Sequence, residues 1–202
     1  QTVPQPIVFS WTARPDTEAF LQISLDPKFR QLVVNRKAGI TSQTGSAGIY
    51  NLLPGKTYFW RVSSGEAISE TASFSVIPEL PRWIAIPGAT NIRDLGGWRT
   101  PDGKAIRMGM IFRGSQFEPE PALSCELQEA GRKEIIHTLG IRTELDLRGE
   151  KENILSRKAR RFDCIRYERF PMQAYATWAE TGIFSTEQTE YLRNIFQLLA
   201  DD

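Results

Sequence analysis

Hydrophobic and polar residues alternate with a period of two from Ile7 to Ile77, and no helical repeat interrupts them. Alternation of this kind over short runs predicts half-buried β-strands. Turn residues such as Asp26-Pro27 and Pro54-Gly55 separate the runs. Short strands at regular spacing predict a β-sandwich of the immunoglobulin type. The expected strands cover residues 7–11, 19–24, 31–34, 58–62 and 72–76.

The segment from Leu53 to Tyr58 reads Leu-Pro-Gly-Lys-Thr-Tyr and leads into the strand that contains Trp60. It resembles the corner of a fibronectin type III domain, in which a tyrosine hydrogen-bonds back to the turn before its strand. Trp11 suits this family, where an aromatic side chain fills the space between the sheets. The resemblance covers about residues 5–78 and implies a domain over residues 1–79 with no chemistry of its own. We expect Trp11, Tyr58 and Trp60 to be core residues.

Two prolines, Pro78 and Pro81, end the alternation near residue 80. Proline lacks a backbone N–H and fixes φ, so a strand ladder cannot continue through this segment. The sequence therefore predicts a domain boundary here and a second domain over residues 83–202.

The second half mixes strand-like and helix-like patterns. Residues 98–107 predict a hairpin that turns at Pro101-Asp102-Gly103. Residues 110–115 and 141–148 predict strands. We expect a helix between them, with Ser124 as its N-cap and a left-handed glycine, Gly140, at its end.

A last helix is expected after Ser185, which forms a capping box with Gln188. Apolar residues recur along it at helical spacing and form one face. That face consists of Tyr191, Leu192, Ile195, Phe196, Leu198 and Leu199.

Three sequence blocks follow one another in this half: Asn-Ile-Arg-Asp-Leu-Gly-Gly at 91–97, Phe-Arg-Gly at 112–114, and a third from Leu139 to Arg148. Together they resemble the bacterial tyrosine-phosphatase-like family of the cysteine phosphatase superfamily, over about residues 83–200. The resemblance implies the N-terminal part of an α/β phosphatase domain. It also implies hydrolysis of phosphomonoesters through a phosphocysteine intermediate, with no cofactor or metal. The substrate would be a phosphorylated protein or a small phosphorylated compound.

The candidate phosphate-binding residues are Arg93, Arg113 and Arg148, and Asp94 is a possible accessory catalytic residue. Each lies at or near the end of a predicted strand, where open α/β sheets bind ligands. A guanidinium can donate two parallel hydrogen bonds to phosphate oxygens. The alternative is an internal Arg–Asp network that holds the turn at 91–97, and both interpretations stay open. His137 is the only histidine, and we expect it to be a surface or boundary residue because a lone histidine makes neither a metal site nor a triad.

The resembled family uses the cysteine of a His-Cys-x5-Arg loop, which binds phosphate at a helix N-terminus. Neither cysteine here fits that pattern, because Gly131 and Phe170 stand six positions after Cys125 and Cys164. Both are expected to be structural thiols. In the resembled family the loop follows the last helix, so we expect the nucleophile in a segment C-terminal to Asp202. The 202 residues alone are then expected to be inactive.

The sequence departs from the family pattern in two further places. Glu144 stands where a buried parallel strand usually carries an aliphatic residue, and a lone buried carboxylate costs several kcal/mol. No aspartate occurs in Phe170-Pro171-Met172-Gln173, where related phosphatases often keep a mobile general acid. The proton donor therefore stays open.

Composition excludes few function classes. The formal net charge of +1 gives no long-range field that would attract nucleic acid, and no apolar run is long enough to span a membrane. The chain starts at Gln1 without the basic and apolar regions of a leader, and bacterial fibronectin-like modules mostly lie outside the cytoplasm. We therefore expect a processed, extracytoplasmic protein, periplasmic or secreted. The competing hypothesis is a non-catalytic secreted binding or adhesion protein with a degenerate phosphatase-like domain.

Overall fold

The computed structural model describes residues 4–14, 17–41, 43–115, 117, 127–148, 162, 164–170 and 186–201. The chain forms two compact units, residues 1–117 and 118–202. The first unit contains the strands β1 (Ile7–Thr12), β2 (Phe20–Ser24), β3 (Leu32–Lys37), β4 (Gly39–Thr41), β5 (Thr44–Ile49), β6 (Thr57–Ser64), β7 (Ala67–Ile68), β8 (Ala72–Ser75), β9 (Arg82–Trp83), β10 (Arg93–Asp94) and β11 (Phe112–Arg113). The second contains β12 (Thr143–Asp146), β13 (Arg166–Arg169), helix α1 (Glu129–Lys133), a π-helical turn (Glu134–Thr138) and helix α2 (Thr186–Asp201).

Two antiparallel sheets share one hydrophobic core in the first unit. One sheet has the order β1-β5-β4, and the other has the order β3-β2-β6, with β7 and β8 both paired to β6. Alternate residues of a strand face the same side, so each sheet contributes an inward set of side chains. The shared core consists of Phe9, Leu21, Ile23, Ala47, Ile49, Leu52 and Tyr58. All five strands predicted from the alternation are present, and Trp11 and Trp60 pack against this core.

The expected hydrogen bond of the Leu53–Tyr58 corner is confirmed. The Tyr58 hydroxyl accepts a hydrogen bond from the Leu53 N–H at 2.9 Å, and the Tyr58 ring is almost fully buried. Burial raises the pKa of the Tyr58 phenol, which keeps it neutral. The corner fixes the chain that enters β6.

The alternation did not predict β4, β5 and β7. Strand β5 reads Thr-Gly-Ser-Ala-Gly-Ile and has too few large apolar residues to show a period. Its Gly45 lies opposite Trp11 of β1, and a Cβ there would come within 2.4 Å of the Trp11 ring. The Trp11 side chain of β1 therefore covers Gly45 of the neighbouring strand β5. Strand β5 itself lacks the alternation of apolar and polar residues that predicts a strand.

A third, small antiparallel sheet belongs to the same compact unit and has the order β11-β10-β9. The unit extends past residue 79, where the sequence predicts a domain limit. Across that limit the Asn51 side chain hydrogen-bonds to the backbone of Ala85, and the Arg82 side chain hydrogen-bonds to the backbone of Asn51. The predicted hairpin at 98–107 is confirmed, with hydrogen bonds from the N–H of Ile106 to the Trp98 carbonyl and from the N–H of Thr100 to the Lys104 carbonyl.

The second unit contains a parallel strand pair, β12 and β13, with Asp146 opposite Arg169. The helix before β12 begins at Glu129, and Gln128 before it has an extended backbone with ψ 160°. The prediction of Ser124 as its N-cap is therefore wrong, because a helix cannot continue upstream through an extended residue. The left-handed Gly140 after this helix is confirmed at φ 65°.

Glu144 on β12 is half-buried, so the strand does not bury its carboxylate fully. On α2, Ile195 is buried and Phe196 is 66% exposed. The predicted cap Ser185 and the side chains of Leu198 and Leu199 lie outside the described residues. None of the helices in the described part of the chain combines the length and the hydrophobicity that a bilayer crossing requires.

Candidate phosphate-binding site

The turn at residues 91–97 forms because its sequence permits unusual backbone geometry. Asn91 adopts φ 59°, a left-handed conformation that asparagine tolerates better than most residues. Gly97 has φ 89°. A Cβ at Gly96 would lie 2.4 Å from the Cα of Met108, so this glycine lets two backbone segments approach closely. The Leu-Gly-Gly sequence therefore brings residues 107–109 against β10.

Asp94 occupies the centre of this turn and is fully buried. Its Oδ1 accepts the N–H of Gly96 at 2.8 Å, and its Oδ2 accepts the N–H of Gly109 at 2.8 Å. The Nη1 of Arg82 donates to the same Oδ2 at 3.0 Å. The Arg82 guanidinium compensates the negative charge of the carboxylate, and the two backbone N–H groups hold it in place. The geometry corresponds to the internal Arg–Asp network, with Arg82 rather than a neighbouring arginine as the partner.

Arg93 and Arg113 lie directly opposite each other on β10 and β11. Trp83 lies opposite Arg93 on the other side, on β9. Residues paired across neighbouring antiparallel strands share a face of the sheet, so this face presents Trp83, Arg93 and Arg113 in a row. The Arg93 guanidinium carbon lies 5.2 Å from the centre of the Trp83 ring, a cation–π contact. We call this row the arginine face.

Neither arginine of this face has an anionic partner among the described residues. Arg93 is half-buried, and its Nε is buried without a hydrogen-bond acceptor in the part of the chain that the structure describes. Arg113 is exposed. Like charges directly opposite each other on a sheet repel, and a buried donor without an acceptor is costly. A bound anion would relieve both.

Arg148 belongs to a separate cluster in the second compact unit. Its Nε donates to Asp146 Oδ1 at 2.9 Å, and its Nη2 donates to Oδ2 at 2.7 Å, a bidentate pair. The Tyr167 hydroxyl donates to the same Oδ2 at 2.7 Å. Burial alone would raise the pKa of Asp146, but the hydrogen bonds from Arg148 and Tyr167 outweigh it and lower that pKa to about 2.

The structure thus brings two of the predicted site residues, Arg93 and Arg113, together on one face. Asp94 lies behind that face in the Arg82 network, and Arg148 lies in the other compact unit. His137 is exposed, as predicted. Cys164 is a free, exposed thiol, and Cys125 lies outside the described residues. Within the described ranges no group of three His, Cys, Asp or Glu side chains could hold a metal ion.

Sequence reasoning missed Arg82, Trp83, Asp146 and Tyr167. Arg82 and Trp83 directly follow Pro81 at the predicted domain boundary, where the sequence shows no alternation that would indicate a strand. Asp146 stood inside the third family block, and the N–H of Arg148, two residues later, donates to it. This spacing is a local signal that could have paired the two. Tyr167 lies on a strand of mostly charged residues that shows no apolar alternation.

Comparison with known families matches residues 84–201 to the model of the tyrosine phosphatase family. The match covers more than half of the chain. This protein belongs to the tyrosine phosphatase family. Comparison with curated proteins and with solved structures found no match. The matched region begins just after Trp83 and contains Arg93, Arg113 and Arg148. Membership of this family supports a phosphatase-type hydrolase that acts on phosphorylated substrates.

Proposed function

We propose that this chain is the phosphate-recognition part of a phosphoric monoester hydrolase of the tyrosine or dual-specificity type. The arginine face carries the proposal. Arg93 and Arg113 stand side by side inside the family-matched region, and neither has an anionic partner among the described residues. Two adjacent guanidinium groups complement a phosphate dianion in charge and in hydrogen-bond donors.

The contrast with Arg82 and Arg148 supports the assignment of the phosphate site to the arginine face. Arg82 and Arg148 each have a buried aspartate as partner, at 3.0 Å and 2.7 Å. Their charges are already compensated, and a phosphate would have to compete with those carboxylates. Because Asp146 already binds its guanidinium, Arg148 is the weaker candidate for a direct phosphate contact, although 21% of its side chain is exposed. In this proposal Asp94 does not contact the phosphate itself but holds the turn at residues 91–97, which carries Arg93.

The chemical step proposed for the family is nucleophilic substitution at phosphorus. A cysteine thiolate attacks the phosphorus atom, the P–O bond to the alcohol or phenol breaks, and the leaving oxygen takes a proton. Water then hydrolyses the phosphocysteine, which returns the thiolate and releases inorganic phosphate. Guanidinium groups bound to the non-bridging oxygens stabilise the charge of the transition state. No metal is needed for this sequence of steps.

The nucleophile is proposed to lie in a His-Cys-x5-Arg segment C-terminal to Asp202. Within the 202 residues, Cys164 is preceded by Asp163 and has no arginine six positions later, and Cys125 likewise lacks one. Both are therefore proposed to be structural thiols. The 202 residues alone would bind phosphate without turning it over.

Binding can be tested with phenyl phosphate as the probe and NMR of the arginine Nε–Hε groups as the readout. We expect the signals of Arg93 and Arg113 to shift together with one dissociation constant, and Arg113→Ala to weaken binding by about tenfold or more. Arg14→Ala is the matched control, because Arg14 is an exposed arginine outside the family-matched region. Unchanged affinity in Arg113→Ala would contradict the proposed site.

Turnover is tested with a longer polypeptide read from the same gene past Asp202. We expect hydrolysis of an aryl phosphate that disappears when the cysteine of the His-Cys-x5-Arg loop is replaced by serine. Cys125→Ser and Cys164→Ser should leave the rate unchanged. If the gene encodes no such loop, the binding or adhesion protein with a degenerate phosphatase-like domain is the correct function instead.

For residues 1–79 we propose a fibronectin type III-like module in an extracytoplasmic protein. The sheet orders β1-β5-β4 and β3-β2-β6-β8, the Trp11 packing and the Tyr58 corner support it. Cell fractionation of the native host protein tests the location. Recovery in the cytoplasmic fraction would contradict it.

A further inference from the structure

The loop after β5 reaches past residue 79 through Asn51. This residue has φ 63°, and its side-chain amide pairs with the backbone of Ala85 at both ends. Its Nδ2 donates to the Ala85 carbonyl at 3.0 Å, and its Oδ1 accepts the Ala85 N–H at 2.7 Å. One side chain thus forms the two hydrogen bonds that a neighbouring strand would supply.

Arg82 continues this connection toward the turn at residues 91–97. Its Nη2 donates to the backbone carbonyl of Asn51, and its Nη1 donates to Asp94 Oδ2 at 3.0 Å. Its side chain is 10% exposed. Two nitrogens of one planar guanidinium therefore hold a sandwich loop and a buried carboxylate at once, which a lysine ammonium on a flexible chain does not reproduce with the same geometry.

Asp94 transmits the position of this network to Arg93. The two residues are consecutive on β10, so their side chains leave opposite faces of the small sheet. Asp94 also holds the amides of Gly96 and Gly109, which fixes the segments on both sides of the turn. Any shift of Asp94 therefore changes the direction of the Arg93 side chain on the arginine face.

We propose that Asn51 and Arg82 are positioning residues for the phosphate site, and that the β-sandwich is a working part of that site rather than a separable module. Arg82 lies outside the family-matched region and Asn51 lies 33 residues before it, so membership of the family does not account for them. The inference rests on the proposed function, because it needs the arginine face to bind phosphate.

The variants that test it are Asn51→Gly and Arg82→Lys. Glycine accepts the left-handed backbone of Asn51 and removes only the amide, and lysine keeps the charge of Arg82 but loses its two-point donation. The controls are Asn35→Ala on β3 and Arg99→Lys on the hairpin, both exposed positions. Dispersed core signals, including those of Leu21 and Ile23, establish that each variant is folded. Asn51→Gly alone suffices if Arg82→Lys does not fold.

Two measurements are made on each variant. The first is amide hydrogen exchange of Gly96 and Gly109, which we expect to be at least about tenfold faster in both variants and unchanged in the controls. The second is the dissociation constant for phenyl phosphate from the Nε–Hε signals, which we expect to rise at least about fivefold.

The outcomes separate the two proposals. Unchanged exchange at Gly96 and Gly109 overturns the connection itself. Faster exchange with unchanged phosphate affinity overturns the positioning role and leaves Asn51 and Arg82 as structural residues only. Absence of phosphate binding in the unmodified chain overturns the proposed function and the positioning role together, while the exchange data still report whether the connection exists.

Discussion

Each compact unit contains one aspartate that follows the same local rule and meets a different arginine. Asp94 and Asp146 both end a short strand, both precede a leucine, and both accept the N–H of the residue two positions later. Asp94 is paired with Arg82, twelve residues earlier, whereas Asp146 is paired with Arg148, two residues later. The first pair is assembled by the tertiary fold, and the second by a single turn of chain.

The environments of the two pairs differ as well. In the first pair the side chains are 10% and 0% exposed, and in the second they are 21% and 4% exposed. A charge that can turn toward water after losing its partner costs less than one that cannot. The comparison therefore predicts that the same substitution has a larger effect at Asp94 than at Asp146.

The largest effect is expected from Asp94→Asn. It leaves the Arg82 guanidinium buried without a counter-charge, and we expect a loss of about 3–5 kcal/mol in the free energy of unfolding. Urea unfolding followed by tryptophan fluorescence measures this loss, because Trp11, Trp60, Trp83 and Trp98 all lie in the first unit. Asp102→Asn, at an exposed pair with Lys104, is the control and should leave the free energy of unfolding almost unchanged.

The same change at Asp146 completes the test. Asp146→Asn should cost about 1–3 kcal/mol, measured by amide exchange of β12 and β13. A loss at Asp146 equal to or greater than that at Asp94 would break the comparison.

An effect similar in size to that of Asp146→Asn is expected from acid. The pKa of Asp146 is about 2 in the folded chain against a usual value of 3.8, so the folded state binds its proton at lower pH than the unfolded state. The contribution of this group to stability is therefore complete above pH 3.8 and is lost as the pH falls to about 2. The difference corresponds to about 2 kcal/mol. Exchange of the β12 amides between pH 5 and pH 2 measures it, and Asp146→Asn should remove this part of the pH dependence.

The smallest effect is expected from Tyr167→Phe. It removes one of the hydrogen bonds to Asp146 Oδ2 and leaves the bidentate Arg148 contact in place. We expect a loss of about 0.5–1.5 kcal/mol and a higher pKa for the Asp146 carboxyl. The carboxyl carbon shift in an NMR titration reports that pKa. An unchanged midpoint would show that Arg148 alone lowers it.

Much of the first unit could be predicted because its signals are local. The alternation in β1, β2, β3, β6 and β8 and the Leu-Pro-Gly…Tyr corner each lie within a few residues. Strand β5 could not be predicted, since its Gly45 is complementary to Trp11, more than thirty residues earlier. The helix start at Glu129 was also missed, because Gln128 bears no side-chain cap that would mark it.

The candidate site divides in the same way. The family blocks point to Arg93, Arg113 and Arg148, and the arginine identities alone make phosphate a reasonable ligand. No pattern in the sequence shows that Arg113 lies opposite Arg93, or that Asp94 is already bound to Arg82. Strand register and burial decide which arginine is compensated and which is available.

The sequence by itself determined the β-strand alternation of the first half, the turn at residues 91–97 and the membership of the tyrosine phosphatase family. These properties depend on residue type and on neighbours close in the chain. Only the tertiary structure decided that Asn51 and Arg82 join the sandwich to Asp94, and that Arg93 and Arg113 share a face. The reason is physical: a charge is compensated or left available by the groups that folding places within hydrogen-bond distance, and these groups stand far apart in the sequence.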